Sequence, residues 1–336
     1  MAKKEQNALG IFTEATGLYF SNFIEFFKYM SFPVLGQVLG LVIIFITTYF
    51  YSQKMPIIIS KYPEFANFSF LLTITILVIL PGLAILTKAL WEYIVAYGAI
   101  NSMFDNMKKS GRVYDFEAHT ELVKRRTFSF VGLWLIIGLL SILAICPLAI
   151  IVAVYFTLVF QVFIFEPELS PFGCIKKSFS LIKGHLLLTS TLLVLSILVT
   201  YCFIPQLFTK IFEYVGLNNV LRDCILPLVS LFTIPSLEQY GVQLPSHIEI
   251  AKSLIEILIA QVIIQYTLPL RSIMCSILYK NLAKKTTIVK ETKTRKKYTT
   301  KKRPSEKLME SSHKKYGTKK LDRNLMRRAY EKDYED

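Results

Sequence analysis

The sequence lacks the familiar marks of catalysis. It has no Walker loop, no GxGxxG and no GxSxG, so no phosphate cradle, dinucleotide turn or hydrolase elbow is expected. Its four histidines, His119, His185, His247 and His313, are too scattered for a zinc motif. The five cysteines, Cys146, Cys174, Cys202, Cys224 and Cys275, contain no CxxC pair and are odd in number, which argues against a disulfide or metal framework. A bridge between Cys202 and Cys224 would need a proximity that sequence alone does not supply. Isolated Ser, His and Asp residues occur, but nothing pairs them. The expectation is a non-enzyme with no cofactor and no metal. No cleavable leader is expected either, since Lys3 and Lys4 are not followed by an uninterrupted apolar core. Charge is absent altogether from residues 128–165.

What is there is grease and a basic end. Of 336 residues 53% are hydrophobic, and mean hydropathy is +0.45. The apolar residues come in runs of 17 to 19 with few or no charges, which excludes an ordinary soluble globule and a disordered chain. The formal net charge is +15, and +12 of it lies from Lys280 onward, where 20 basic and 8 acidic residues fall. The body before it is nearly neutral.

A helix needs about 20 apolar residues to cross a hydrocarbon core of about 30 Å. Spans are predicted near 33–51, 69–87, 186–204 and 251–270, the last closed by Pro269 and Arg271. Residues 128–165 are too long for one crossing, since 38 helical residues would reach about 57 Å. Cys146-Pro147 divides them, and proline breaks or kinks a helix, so a tight hairpin of spans 128–146 and 147–165 is predicted; the alternative is one long kinked helix. Between the last two spans, Pro227 and Pro235 interrupt an apolar stretch within 205–250 that suits a re-entrant or interfacial segment. Ahead of the first span, Glu14, Ser21, Glu25 and Lys28 mark a wet face, and Phe12, Tyr19, Phe23, Phe27 and Met30 an aromatic one. That amphipathic segment, 1–32, can lie among headgroups or against the protein's own bundle.

Lys and Arg in short loops favour the cytoplasm. With six spans the leader, 98–127, 166–185 and the tail all fall on one side, with both ends cytoplasmic. The predicted class is therefore an all-α integral membrane protein of about six transmembrane helices over 33–280, with an amphipathic N-terminal helix and a disordered basic tail over 281–336.

Charges at membrane depth are expensive and so invite a functional reading. Lys88 and Glu92, four apart on one helix face, and Arg271 could form a polar cavity for a lipid headgroup or other anion. The simpler reading places all three at the interface, where long side chains reach water. In EPELSPFGCIKKSFSLIKGH, Ile175, Phe179 and Ile182 recur at helical spacing, with Lys176, Lys177 and Lys183 beside them. This suits a surface helix whose lysines meet anionic headgroups, each contact worth about 1 kcal/mol. The tail is too polar to fold alone; its tyrosines are too dispersed for specific RNA reading, so lipid or a membrane-protein partner is expected, with no specific nucleic acid.

Three stretches carry a resemblance: GLYFSNFIEFFKYMSFPVLGQVLG, FEPELSPFGCIKKSFSLIKGH and LPLRSIMCSILYKNLAKK. With Lys177-Ser178, Lys183-Gly184 and Leu278-Tyr279-Lys280, the chain resembles, over roughly residues 10–285, a loose bacterial group of six-span proteins. That group includes YciC-like proteins and the membrane domain of some glycerophosphodiester phosphodiesterases. The resemblance implies a bacterial inner-membrane location and a topology, not an activity. No appended catalytic domain is expected, and the long basic tail departs from the group. The sequence therefore predicts a non-enzymatic inner-membrane protein with a lipid-interacting, assembly or regulatory role. The rival is a transporter whose path runs by Glu92, Arg271, Pro81 and Pro269.

Overall fold

A computed structural model describes the backbone of residues 7–143, 147–231 and 245–300; the side chains of 141–150 and 286–300 are outside it. The described residues are helical, with no strand among them. The chain falls into two units, Met1–Leu282 and Ala283–Asp336. Four helical rods are long and apolar enough to cross a membrane: Phe23–Lys61, Phe68–Ser110, Leu186–Tyr214 and His247–Lys285. They contain the predicted spans 33–51, 69–87, 186–204 and 251–270. The uncharged stretch supplies shorter apolar helices, α5 (Thr127–Leu143), α6 (Pro147–Phe156) and α7 (Val159–Phe165). Helices α5 and α6 touch. The predicted turn at Cys146 lies outside the described residues.

The amphipathic leader is two helices rather than one. α1 (Ala8–Ser21) ends at Asn22, and α2 (Phe23–Lys61) starts anew. The break has a local cause. The Asn22 side chain is buried and donates through Nδ2 to the carbonyls of Leu18 at 2.9 Å and Gly111 at 3.2 Å, while its Oδ1 accepts from Val113 N at 2.8 Å. An asparagine that engages backbone in this way competes with the helix. Of the leader's two open placements, packing on the bundle holds for one face: Ile11, Ala15 and Tyr19 are buried, and α1 touches α9 (Leu186–Ile197). Phe20, Phe23, Ile24 and Phe27 face outward.

α2 and α3 (Phe68–Ser110) form a long antiparallel hairpin. Its closest approach is made by glycines, because side chains there would collide. A Cβ on Gly40 would sit 2.7 Å from Leu86 N and 2.8 Å from Gly82 O, and one on Gly82 would sit 2.6 Å from Ile44 Cγ1. Gly36 and Gly40 are a GxxxG pair, the spacing that lets membrane helices approach closely. Along its most apolar stretch only 6% of the residues of α3 are fully buried, the others being half-buried or exposed. Its second half is different. Val95, Ala96, Ala99, Ile100, Met103, Phe104 and Met107 are fully buried, with Phe26, Met30, Phe130, Leu158, Phe163, Ile273 and Ile277. The core therefore gathers at the end of the α2–α3 hairpin where α3 turns, at Gly111 (φ +74°), into α4 (Phe116–Lys124).

The remaining elements close around this core. α8 (Pro171–Ile182), capped by Ser170, packs on α5, α6 and α7. The third rod is not uniform: α9 passes through a π turn, Leu198–Phe203, into α10 (Ile204–Tyr214). α11 (Leu217–Val229) lies against α12 (His247–Tyr266), in the region expected to be interfacial. Pro235 lies outside the described residues. The predicted stop at Pro269-Arg271 is instead a break. α12 ends at Thr267, and α13 (Leu268–Thr300) resumes at once. Helix therefore continues to Thr300 in a segment expected to be disordered from 281. Lysine, leucine and alanine are good helix formers. The tail beyond 300 is outside the described residues.

Candidate functional site

The three charges predicted to share a cavity take separate partners. Lys88 is exposed, its Nζ 5.6 Å from the centre of the Phe32 ring. Glu92 pairs with Lys124 at 3.4 Å. Arg271 packs its guanidinium on the Tyr201 ring, 4.6 Å from the centre, hydrogen-bonds the Tyr201 hydroxyl and lies beside Tyr93. No ion pair or hydrogen bond joins Lys88, Glu92 and Arg271 among the described residues. The α12–α13 break explains the arginine. Pro269 has no N–H to continue the ladder, and Arg271 Nη2 folds back to donate to the Ile264 carbonyl at 2.9 Å, as Thr267 Oγ1 does at 2.7 Å. Arg271 thus caps a broken helix and holds the π turn.

The lysines of α8 separate likewise. Consecutive residues of a helix point 100° apart. Lys176 and Lys183 are exposed, while Lys177 is half-buried and pairs with Glu166 at 3.2 Å. The buried face of α8 is Cys174, Ser178, Leu181 and Ile182, one position off the predicted Ile175, Phe179 and Ile182 series. Phe172 and Phe179 face outward beside the free lysines; Phe179 also stacks on Tyr155 at 4.3 Å.

Glu166 is a meeting point. Tyr279 Oη donates to its Oε1 at 2.8 Å, and Lys177 pairs with the same oxygen. Phe165 stacks on Tyr279 at 5.1 Å, and Lys280 lies over Phe165 at 3.9 Å while pairing with Asp105 at 2.9 Å. Ser178 Oγ donates to the Tyr155 carbonyl at 2.7 Å. The Lys177-Ser178 and Leu278-Tyr279-Lys280 motifs, a hundred positions apart in the chain, are therefore brought together around one carboxylate.

Sequence reasoning searched for charges and missed the neutral amides. Gln37 and Gln265 pair reciprocally, at 3.0 and 3.2 Å, and so join α2 to α12. Asn101 Oδ1 accepts from Gln161 Nε2 at 3.1 Å and Ser276 Oγ at 3.2 Å, a fully buried knot of α3, α7 and α13. A glutamine inside an otherwise apolar run was the signal. His119 was dismissed as a metal ligand but has a structural place. Its Nε2 accepts from Asn106 Nδ2 at 2.8 Å and its Nδ1 lies 2.7 Å from Ser102 Oγ, which fastens α4 to α3 in the neutral tautomer.

The contacts at Glu166 and Asn101 brace helices against one another. Burial pushes the Cys174 thiol up to about 11 despite the nearby Arg126, so it is protonated and unreactive. Cys174, Cys202, Cys224 and Cys275 are free thiols. Among the described residues no group of three His, Cys, Asp or Glu could hold a metal ion. Comparison of the chain with protein-family models, curated proteins and solved structures finds no match.

Proposed function

We propose that this chain is a non-enzymatic six-span protein of the bacterial inner membrane, related to the YciC-like group, that organises anionic lipid or serves as an assembly or regulatory partner there. In this reading α5 and the α6–α7 pair complete the six crossings, and both termini are cytoplasmic. The carrying observation is α8. Its inner face is pinned through Lys177, Glu166 and Tyr279, which leaves Phe172, Phe179, Lys176 and Lys183 outward. Aromatic rings beside lysines suit the boundary between hydrocarbon and anionic headgroups. Phe128 at the start of α5 and Leu187 at the start of α9 are also strongly exposed. The basic tail adds to the same attraction.

The test is a Phe172→Trp variant reconstituted in phosphatidylcholine vesicles with and without phosphatidylglycerol. The fluorescence added by the new indole should be quenched by lipids brominated high on the chain. Phosphatidylglycerol should strengthen the quenching, and Lys176→Glu with Lys183→Glu should abolish that gain. An indole quenched only by aqueous iodide would reject the surface-helix reading. The transporter alternative has less support, because Arg271 and Glu92 are engaged with separate structural partners.

A further inference from the structure

The α2–α3 hairpin contains a groove of about 510 Å³ with no residue of α8 in its lining. It is lined from α2 by Thr47, Tyr51, Lys54, Met55 and Ile58 among others, and from α3 by Ile74 to Pro81. Its origin is geometric. Gly36, Gly40 and Gly82 draw the helices into contact on one side. Pro81, next to Gly82, lacks the N–H that would bond the Leu77 carbonyl, and larger side chains then hold the helices apart. Tyr51 Oη donates to the Leu71 carbonyl at 3.2 Å and bridges the two helices beyond the crossing.

We propose that this groove holds an acyl chain of an anionic phospholipid, with Lys54 paired to the headgroup phosphate. Length favours this occupant. From Thr47 to Ile58 a helix advances about 16 Å, roughly the depth of one leaflet of a hydrocarbon core about 30 Å thick. Charge favours it as well. Lys54 is exposed, it has no ion pair among the described residues, and no acidic side chain lines the groove. A lysine stem lies along hydrocarbon while its ammonium reaches the phosphate level. The volume is that of a small-molecule site, roughly 300–1,000 Å³.

The experiment uses the full chain in vesicles of phosphatidylcholine carrying a trace of phosphatidylglycerol with a photoreactive acyl chain. Cross-links are mapped by peptide mass spectrometry. They should concentrate on residues 47–58 and 74–81. Lys54→Glu should lower the yield there at least about threefold, since the ammonium supplies the headgroup attraction. Val78→Trp, which fills the groove, should remove the cross-links at 47–58. A photoreactive phosphatidylcholine should label the groove less. Labelling spread evenly over every lipid-facing helix, or a groove yield that Lys54→Glu leaves unchanged, would overturn the proposal. The α8 quenching test is unaffected by either result, so the two readings fail separately.

Discussion

At the residue scale, the structure depends on polar side chains that replace missing backbone partners. Asn22 serves three backbone groups at the junction of α1, α2 and the α3–α4 turn. Asn22→Ala strands the buried Val113 N–H and should cost about 1–3 kcal/mol. Thermal unfolding in detergent, compared with the parent protein, measures it; a change within error would show that water replaces the amide. His119 gives a pH signature. Burial lowers its pKa below 6.5, and Asp115 opposes this only in part. The folded state then binds a proton less readily than the unfolded one. Its contribution is complete above pH 6.5 and is lost as pH falls from 6.5 through the lowered folded value. His119→Gln should flatten that part of the stability–pH curve, as followed by melting temperature.

At the element scale, α2 and α3 are held by close contact rather than by side-chain interlock. Gly40→Val places methyls where Leu86 and Gly82 backbone already stand, and overpacking of this kind costs about 1–3 kcal/mol or more. Gly132→Val, at a glycine with nothing within 4 Å, is the control and should be nearly silent. Equal losses in both variants would deny the crossing its role. Helix type and position were legible in sequence, because runs of apolar residues have no other stable form in a bilayer. The breaks were not. Asn22, Thr157–Leu158, the π turn at Leu198–Phe203 and Thr267 interrupt stretches whose composition continues unchanged. Proline at 269 signalled a boundary, yet the helix resumed: Pro269 brings no N–H to the Gln265 carbonyl, while Arg271 Nη2 and Thr267 Oγ1 donate to the adjacent Ile264 carbonyl and brace the last turn of α12.

At the scale of the whole molecule, the long rods are thinly packed along their apolar lengths and the core lies towards one end. Specific polar contacts concentrate around Glu166, Asn101 and Asn22. The candidate site was only partly readable for the same reason. Lys176, Lys183 and Arg271 stood out as charges, but which of them is free depends on partners far away in the chain, such as Tyr201 for Arg271. Topology is the claim on which the functional reading rests: an even number of crossings that keeps every basic segment on one side. Paired fusions of green fluorescent protein and alkaline phosphatase at each terminus, expressed in bacteria, test it most directly. Fluorescence with silent phosphatase at both ends is the predicted result. Termini reporting from opposite sides of the membrane would contradict it.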